Sequence, residues 1–326
     1  MPVRTTAIAH PNIALVKYWG KADPQHNVPA VGSISITLDT LTTSTSIDFD
    51  SSSDGDRFSL NGQPDAKGLD RVRHCLELFR RRGAEIPHAT VESENNFPTA
   101  AGLASSASGF AALVVAVDQA AGTNLDRADL ADLARRCSGS AARSLFGGFV
   151  ELELGGDGDR TETRTILQAN LWPLEVVIAV TAAGPKTVGS TEGMTLTERT
   201  SPYYRSWVET SEIDLAGARA AIAGLDFAAL AEVSEQSCLK MHAVALAARP
   251  GLLYWNGTTV DCVHQIRDLR RQGVAVFFTI DAGPQVKAIC EPGAADRVRQ
   301  ALGQIPGVVE LLSCGLGDGA RVVVDS

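Results

Sequence analysis

The sequence lacks the signatures of several large protein classes. Its six cysteines form no CxxC pair, and its six histidines show no HExxH or HxxxH spacing, so neither a zinc site nor a disulfide framework is predicted. The first residues are too polar for a signal peptide, and no run of about eighteen apolar residues is present to span a membrane. A cytoplasmic chain with reduced thiols is therefore expected.

Positive charge is also scarce. Lys and Arg total 29 against 38 Asp and Glu, a net charge of −9, which argues against a basic face for nucleic acid. Only six residues are lysines, and two of them, Lys17 and Lys21, lie in one pentapeptide. With 326 residues, 44% of them hydrophobic, the chain is long enough for one large or two ordinary well-packed domains.

The order of predicted elements favours an α+β fold. Alternation predicts a strand, a turn and a strand over residues 34–49, and a buried strand covers 175–182. Helical spacing is found at 69–82, 126–137, 214–250, 256–272 and 293–303. Further strands are predicted at 274–281, 308–313 and 320–325. Because regular βαβ alternation is missing, a doubly wound sheet is disfavoured, and we expect two domains, 1–183 and 184–326.

The segment NIALVKYWGK, residues 12–21, concentrates the rare lysines. Lysine is a compact charge with rotatable donors that suit phosphate oxygens. Lys17, Tyr18 and Lys21 are therefore candidates to meet one anionic ligand. The alternative is an edge strand that carries exposed cations.

The segment FPTAAGLASSASGF, residues 97–110, is a loop of small residues that runs into a helix. Small residues allow close backbone approach, and the first turn of a helix offers unpaired N–H groups to an anion. No GK[ST] follows and no GxGxxG is present, so this is neither a Walker A nor a Rossmann loop. The alternative is a helix-packing contact between small residues.

The segment SGSAARSLFGG, residues 138–148, predicts a second anion-holding turn at Ser138, Gly139 and Ser140. Arg143 would then act as a bidentate clamp for a carboxylate or phosphate. The alternative is an ordinary helix cap, since serine is a good N-cap residue.

Asp281 follows an apolar strand and opens the turn DAGP, which makes it a candidate base. The alternative role is that of an Asx-turn acceptor, which is common for Asp before Gly and Pro. The hydroxyl-rich stretch GSTEGM, residues 189–194, is a further candidate contact.

Together these segments resemble the diphosphomevalonate decarboxylase family of the GHMP kinase superfamily. The resemblance rests on NIALVKYWGK, SENNFPTAAGLASSASGFAAL, SGSAARSLFGGFVE, STEGM and DAGP, which run from residue 12 to 284 in the family's order and spacing. The second and third segments distinguish this family from mevalonate kinase and the other small-molecule kinases of the superfamily.

The resemblance implies a GHMP kinase fold, with a ribosomal-S5-like N-terminal domain, a ferredoxin-like C-terminal domain and the site in the cleft between them. It implies homodimers, which are common in the family. It also implies ATP with Mg²⁺, and conversion of mevalonate 5-diphosphate to isopentenyl diphosphate, ADP, phosphate and carbon dioxide by way of 3-hydroxyl phosphorylation.

The resemblance also assigns roles to individual residues. Asp281 matches the carboxylate at the 3-hydroxyl, Lys17 the cation on the transferring phosphoryl group, and Arg143 the arginine on the substrate carboxylate. The other implied substrate contacts are Tyr18, Trp19, Gly20, Lys21, Arg71, Ser138, Gly139, Ser140, Ala141, Ala142, Ser190 and Thr191. The implied ATP contacts are Asn95, Pro98, Ala101, Gly102, Leu103, Ala104, Ser105 and Ser106, with Ser106 near Mg²⁺.

Two segments depart from the family pattern. Residues 29–33 read PAVGS where polar side chains are usual, and residues 237–242 read SCLKMH and keep only the histidine of a typical DSNxxH. Alternatives are therefore a sister decarboxylase on a related 3-hydroxy acid, a plain 3-kinase on mevalonate or its 5-phosphate, and a non-catalytic sensor. Tyr18, Lys21 and Arg71 favour a diphosphate substrate.

Overall fold

The computed structural model describes residues 4–97, 105–155, 161–184 and 187–323. The strands are β1 (Thr5–Ala9), β2 (Asn12–Val16), β3 (Lys21–Asp23), β4 (Val28–Pro29), β5 (Ser33–Thr37), β6 (Thr43–Phe49), β7 (Arg57–Leu60), β8 (Gln63–Pro64), β9 (Ala89–Asn95), β10 (Phe149–Leu154), β11 (Thr161–Leu167), β12 (Glu175–Val180), β13 (Val276–Ile280), β14 (Val286–Cys290), β15 (Glu310–Cys314) and β16 (Arg321–Val322). The helices are α1 (Ala66–Arg81), α2 (Ser105–Ala121), α3 (Arg127–Cys137), α4 (Ala141–Ser144), α5 (Ser190–Thr200), α6 (Tyr204–Glu209), α7 (Ser211–Ala223), α8 (Phe227–Leu246), α9 (Gly257–Arg271) and α10 (Ala295–Gly303).

A six-stranded sheet with the order β16-β1-β6-β9-β7-β8 carries the first layer of the fold. Strand β6 alternates buried and half-buried residues because one face packs on the helices, as the sequence predicts. Helix α2 is apolar on nearly all sides because the sheet, α3 and α4 surround it. This core fixes the first turn of α2 at the edge of the cleft.

Two four-stranded sheets, β11-β10-β5-β2 and β13-β14-β12-β15, share a second core. Ile13 and Phe149 of the first sheet and Phe277 of the second belong to one buried cluster with α7 and α8. A hydrogen bond connects the edge strands β2 and β13: the Thr279 hydroxyl donates to the Ala14 carbonyl at 3.1 Å. The residues that follow these two strands are thereby brought together.

The α+β class is confirmed, and the predicted helices at 69–82, 126–137 and 293–303 correspond to α1, α3 and α10. The helix expected over 214–250 is interrupted between α7 and α8, where Leu225 has a φ of 51° and Asp226 caps α8 by accepting from the Ala229 N–H. Helices α5 and α6 were not predicted, because the start of α5 was interpreted as a hydroxyl-rich contact loop and α6 has only six residues.

The sheets cross the boundary expected at 183/184. Strand β12 precedes that position but pairs with β14 and β15. Strand β16, near the C-terminal end of the chain, pairs with β1 in the six-stranded sheet. The two-domain boundary itself stays a prediction. Across the described ranges, none of the helices combines the length and the apolar character needed to cross a membrane.

Candidate active site

A buried cluster of opposite charges, the lysine–aspartate centre, forms where β2 and β13 end. It consists of Lys17, Asp281 and Lys287. The Lys17 ammonium lies 2.6 Å from Asp281 Oδ1, and the Lys287 ammonium lies 3.1 Å from Asp281 Oδ2. Each carboxylate oxygen is thus bound by one lysine, one from each side of the sheet junction.

The centre is preorganised by burial. The side chains of Lys17 and Lys287 are 1% and 2% exposed, whereas that of Asp281 is 30% exposed. Burial by itself would raise the pKa of Asp281, but the two ammonium groups outweigh it and hold the pKa well below its usual range. Burial lowers the pKa of Lys287 against the attraction of Asp281. An ionised carboxylate is therefore maintained at neutral pH.

Helix α8 supports this centre from behind with the segment that departs from the family pattern. The Ser237 hydroxyl accepts from the Lys17 backbone N–H at 2.9 Å. Cys238 Sγ accepts from the Ile280 N–H at 3.2 Å, directly before Asp281. Burial, together with the charge of Lys17, lowers the pKa of His242 to about 3, so this ring is neutral. The helix thereby fixes both chain segments that meet at the centre.

Arg143 on α4 adds a third cation beside the centre. Its Nε donates to Asn12 Oδ1 at 3.1 Å and its Nη1 donates to the Ser33 hydroxyl at 2.7 Å. Burial lowers the pKa of Arg143 to about 10, although Asp281 and Tyr18 oppose this effect, so the guanidinium remains charged at neutral pH. Because both hydrogen-bond partners are neutral, the positive charge is available to a carboxylate.

A cavity of about 640 Å³, the diphosphate pocket, contains most of the predicted substrate contacts. Those that line it are Tyr18, Lys21, Arg71, Ser138, Gly139, Ser140, Ser190 and Thr191. A Cβ at Gly139 would lie 2.6 Å from the Tyr18 hydroxyl, so the turn after α3 passes close to the tyrosine only because it has a glycine there.

The cations of the diphosphate pocket have neutral partners. Lys21 Nζ donates to Asn27 Oδ1 at 2.6 Å and reaches the Thr191 hydroxyl at 3.5 Å, and Arg71 Nη2 donates to the Cys137 carbonyl at 3.2 Å. Burial lowers the pKa of Lys21, and the positive charge of Arg71 lowers it further. A bound polyanion would relieve this repulsion, so the pocket is electrostatically prepared for phosphate groups.

A smaller cavity of about 140 Å³ adjoins the diphosphate pocket between β9 and α2. Asn95, Ser105 and Ser106, which the family resemblance implies as ATP contacts, line it, and Arg71 and Ser106 line both cavities. Hydroxyls and a guanidinium are groups that suit a nucleoside polyphosphate, and the Ser106 hydroxyl suits a Mg²⁺ held mainly by phosphates. The other predicted ATP contacts, Pro98, Ala101, Gly102, Leu103 and Ala104, lie outside the described residues.

Seven predicted contacts within the described residues line neither cavity. Three of them, Lys17, Arg143 and Asp281, form or adjoin the lysine–aspartate centre, and the other four are Trp19, Gly20, Ala141 and Ala142. Trp19 is 1% exposed and packs in a buried cluster, and a Cβ at Gly20 would overlap the Tyr204 hydroxyl. Ala141 and Ala142 are 0% exposed because α4 turns them into the core. These positions shape the walls of the site from behind.

The alternative of an edge strand with exposed cations is correct about the edge strand and wrong about the exposure of the cations. Strand β2 does lie at the edge of its sheet, but Lys17 and Lys21 are 1% and 7% exposed. The reason is tertiary, since the second sheet and α8 cover the end of this strand.

Several residues of the site were missed by the sequence reasoning. Lys287 lies in the apolar stretch VKAIC, and a lysine inside a buried strand of a lysine-poor chain is a signal that was available. The sequence did not indicate the residues that hold the cations in place. Asn12 and Ser33 bind Arg143, and Asn27 binds Lys21.

Comparisons with known proteins agree with this geometry. Family models match residues 9–163, as a diphosphomevalonate decarboxylase-like N-terminal domain, and residues 176–309, as a mevalonate 5-diphosphate decarboxylase C-terminal domain. The diphosphomevalonate decarboxylase of Eremothecium gossypii is 40% identical over 84% of this chain and 74% of its own length.

Solved structures give the same result. Mevalonate diphosphate decarboxylase from Staphylococcus aureus superposes with a TM-score of 0.93 at 37% identity over 99% of both chains. A structure of MDDEF in complex with MVAPP, AMPPCP and magnesium superposes with a TM-score of 0.92 at 38% identity, again over 99% of both chains. This chain therefore belongs to the diphosphomevalonate decarboxylase family.

Proposed function

We propose that this protein converts mevalonate 5-diphosphate and ATP, with Mg²⁺, to isopentenyl diphosphate, ADP, phosphate and carbon dioxide. The observation that carries the proposal is the division of charge in the cleft. One carboxylate lies between two lysines, a buried arginine beside it has only neutral partners, and the adjoining pocket holds further cations on neutral oxygens. A substrate with a hydroxyl, a carboxylate and a diphosphate matches these three features.

Asp281 accepts a hydrogen bond from the 3-hydroxyl and orients its oxygen for attack. Because the pKa of Asp281 is held low, it positions the nucleophile as an ionised acceptor more than it removes a proton early. This suits a loose phosphoryl-transfer transition state, in which positioning and electrostatic stabilisation supply most of the rate. Lys17, which lies on Asp281 Oδ1 in the ligand-free protein, turns from it to the transferring group and stabilises the charge that develops there.

Arg143 binds the substrate carboxylate and aligns the carbon–carbon bond that must break. Its hydrogen bonds to Asn12 and Ser33 fix the guanidinium in place and support this role, because orientation accounts for a large part of catalysis. Positive charge then develops at C3 as phosphate departs, and the ionised Asp281 stabilises it at short range. The bond between C1 and C2 then breaks: carbon dioxide leaves without that bond's electron pair, which stays with the substrate and forms the double bond between C2 and C3.

Lys21 and Arg71 bind the diphosphate, with the hydroxyls of Ser138, Ser140 and Thr191 in the same cavity. When bound, MgATP supplies the phosphoryl group. Asn95, Ser105 and Ser106 line the adjoining cavity that would hold it, and Ser106 stands 3.5 Å from Ser138 across the boundary between the two cavities.

The test is a substrate panel of mevalonate, its 5-phosphate and its 5-diphosphate with MgATP, scored separately for ADP and carbon dioxide. We expect equal amounts of both products from the 5-diphosphate, and far less from the others. ADP without carbon dioxide would identify a 3-kinase, and a preference for another panel member a sister enzyme. Neither product from any member would leave the sensor alternative.

We further propose that the protein acts in the cytoplasm as a homodimer. The family resemblance supports the homodimer, and the six free, buried cysteines support a reducing compartment such as the cytoplasm. Light scattering coupled to gel filtration measures the mass directly. A monomer at assay concentrations would contradict the dimer.

A further inference from the structure

Lys287 is attached to the same rigid sheet as Asp281. Strands β13 and β14 pair antiparallel with Ile280 opposite Val286, so the lysine and the carboxylate stand on adjacent strands at one end of the sheet. Val286 and Ala288 on either side of Lys287 are buried, and the lysine itself is 2% exposed. The paired backbones of β13 and β14 therefore hold Lys287 close to Asp281, which lies one residue beyond the end of β13.

Lys17 reaches the same carboxylate from a different element. It follows β2, the edge strand of the other four-stranded sheet, and its ammonium crosses the junction to Asp281. Its backbone is held by Ser237, and only its four-carbon side chain connects this segment to Asp281. The two lysines therefore differ in how firmly the fold ties them to Asp281.

This difference matters because the proposed function asks Lys17 to leave Asp281 Oδ1 for the transferring phosphoryl group. A largely buried carboxylate that loses its only cation is strongly destabilised. With Lys287 fixed on Oδ2, the carboxylate keeps a counter-ion throughout. We propose that Lys287 is a positioning residue, which holds Asp281 ionised and in place and so releases Lys17 to the phosphoryl group; this inference rests on the proposed function.

The other groups that face Asp281 cannot replace Lys287. The titratable and charged groups around the carboxylate are Lys17 after β2, Arg143 on α4, Cys238 and His242 on α8, and Lys287 on β14. His242 is neutral and burial raises the pKa of the Cys238 thiol, so neither contributes a cation. Arg143 is seated on Asn12 and Ser33 and is assigned to the substrate.

The test compares Lys287→Met with the wild-type enzyme across pH. We expect kcat to fall about 100-fold with little change in KM, since the nucleophile is misplaced and Lys17 is retained by Asp281. The acid limb of kcat/KM should move up by about one pH unit or more, because Asp281 loses one of its two cations. Lys287→Arg should restore part of kcat and return the acid limb toward its wild-type position.

A matched control is available in Lys240, whose ammonium lies 2.8 Å from Asp214 Oδ2 away from the centre. Lys240→Met removes a comparable lysine–carboxylate pair and should leave kcat and the pH profile unchanged. Lys287→Gln is a second neutral variant that keeps a hydrogen-bond donor, for use if the methionine variant folds poorly.

A double-mutant cycle separates a role through Asp281 from a merely structural one. In the Asp281→Asn background, Lys287→Met should cause no further loss of kcat, measured as single-turnover ADP release. Additive losses, an unshifted acid limb, or a wild-type kcat in the folded neutral variants would overturn the inference. Failure of the proposed function would appear separately, as no carbon dioxide from the wild-type enzyme.

Discussion

The lysine–aspartate centre and the diphosphate pocket both gather cations from a chain with few lysines, but they treat the charge differently. In the centre, both lysines bind the oxygens of Asp281 and are nearly inaccessible. In the pocket, Lys21 and Arg71 rest on amide, hydroxyl and carbonyl oxygens and repel one another. In the first region each oxygen of the carboxylate already has a lysine, whereas in the second the hydrogen-bond partners of both cations are neutral and an anion would add a counter-charge.

This difference separates catalysis from binding. A paired, buried centre fixes the positions of reacting groups, and removing one partner leaves an uncompensated charge in a poorly solvated site. Cations on neutral partners keep their attraction for a ligand, so their contribution appears in affinity. Variants in the centre should therefore affect kcat, and variants in the pocket should affect KM.

The largest effect is expected from Asp281→Asn. The amide cannot act as an anionic acceptor for the hydroxyl or stabilise positive charge at C3, so kcat should fall about 10²- to 10⁴-fold. Steady-state carbon dioxide release measures it. Asp214→Asn, which disrupts the comparable pair with Lys240, should keep nearly full activity, and equal losses in both variants would mean that the centre is only structural.

The next effect is expected from Lys21→Met in the pocket. Loss of a charge-assisted contact to the diphosphate should raise KM for the 5-diphosphate substrate by about 10- to 100-fold with kcat nearly unchanged. The same titration with ATP should show little change in KM. A fall in kcat without a change in KM would contradict the separation of the two regions.

A smaller effect is expected from Asn27→Asp, which would pair Lys21 of the pocket with a carboxylate, as Lys17 is paired with Asp281 in the centre. Asn27 Oδ1 already accepts from Lys21 Nζ at 2.6 Å, so a carboxylate there would pair the lysine and compete with the diphosphate. KM should rise about tenfold, equivalent to roughly 1.4 kcal/mol. Asn27→Ala removes the contacts to Lys21 Nζ and to the Arg136 carbonyl without adding charge, and it should raise KM less than the aspartate does.

The smallest effect concerns stability at acid pH, and it comes from His242 on α8, which packs behind the lysine–aspartate centre. His242 has a pKa near 3 in the folded protein against 6.5 for an ordinary histidine, so the unfolded chain binds the extra proton between these values. Stability should therefore fall as pH drops below 6.5, by up to about 1.4 kcal/mol per pH unit.

Urea unfolding at pH 7 and at pH 5 measures this loss. His242→Gln should flatten the dependence, because glutamine does not titrate and still accepts from Trp255 Nε1. His74 on α1 is exposed, and His74→Gln should keep the wild-type slope. An unchanged slope in His242→Gln would place the acid sensitivity elsewhere.

Local sequence predicted much of the site because the relevant chemistry is carried by short segments. Lys17 and Lys21 are separated by three residues, Asp281 follows its own strand, and Ser138 to Ser140 form one turn. Proximity along the chain keeps the members of each segment together, and the family resemblance indicated that the separate segments meet at one cleft. It does not say which side chains point into it, and so Trp19 and Gly20 were expected among the substrate contacts although they pack behind the wall.

The sequence by itself determined the class of fold, the segments rich in anion-binding residues, and the scarcity of lysine that made Lys17 and Lys21 conspicuous. Only the tertiary structure decided that Lys287 completes the centre and that Asn27 leaves Lys21 open to a ligand. The register of β13 against β14 and the meeting of two edge strands set those contacts, and both depend on packing between residues far apart in the chain.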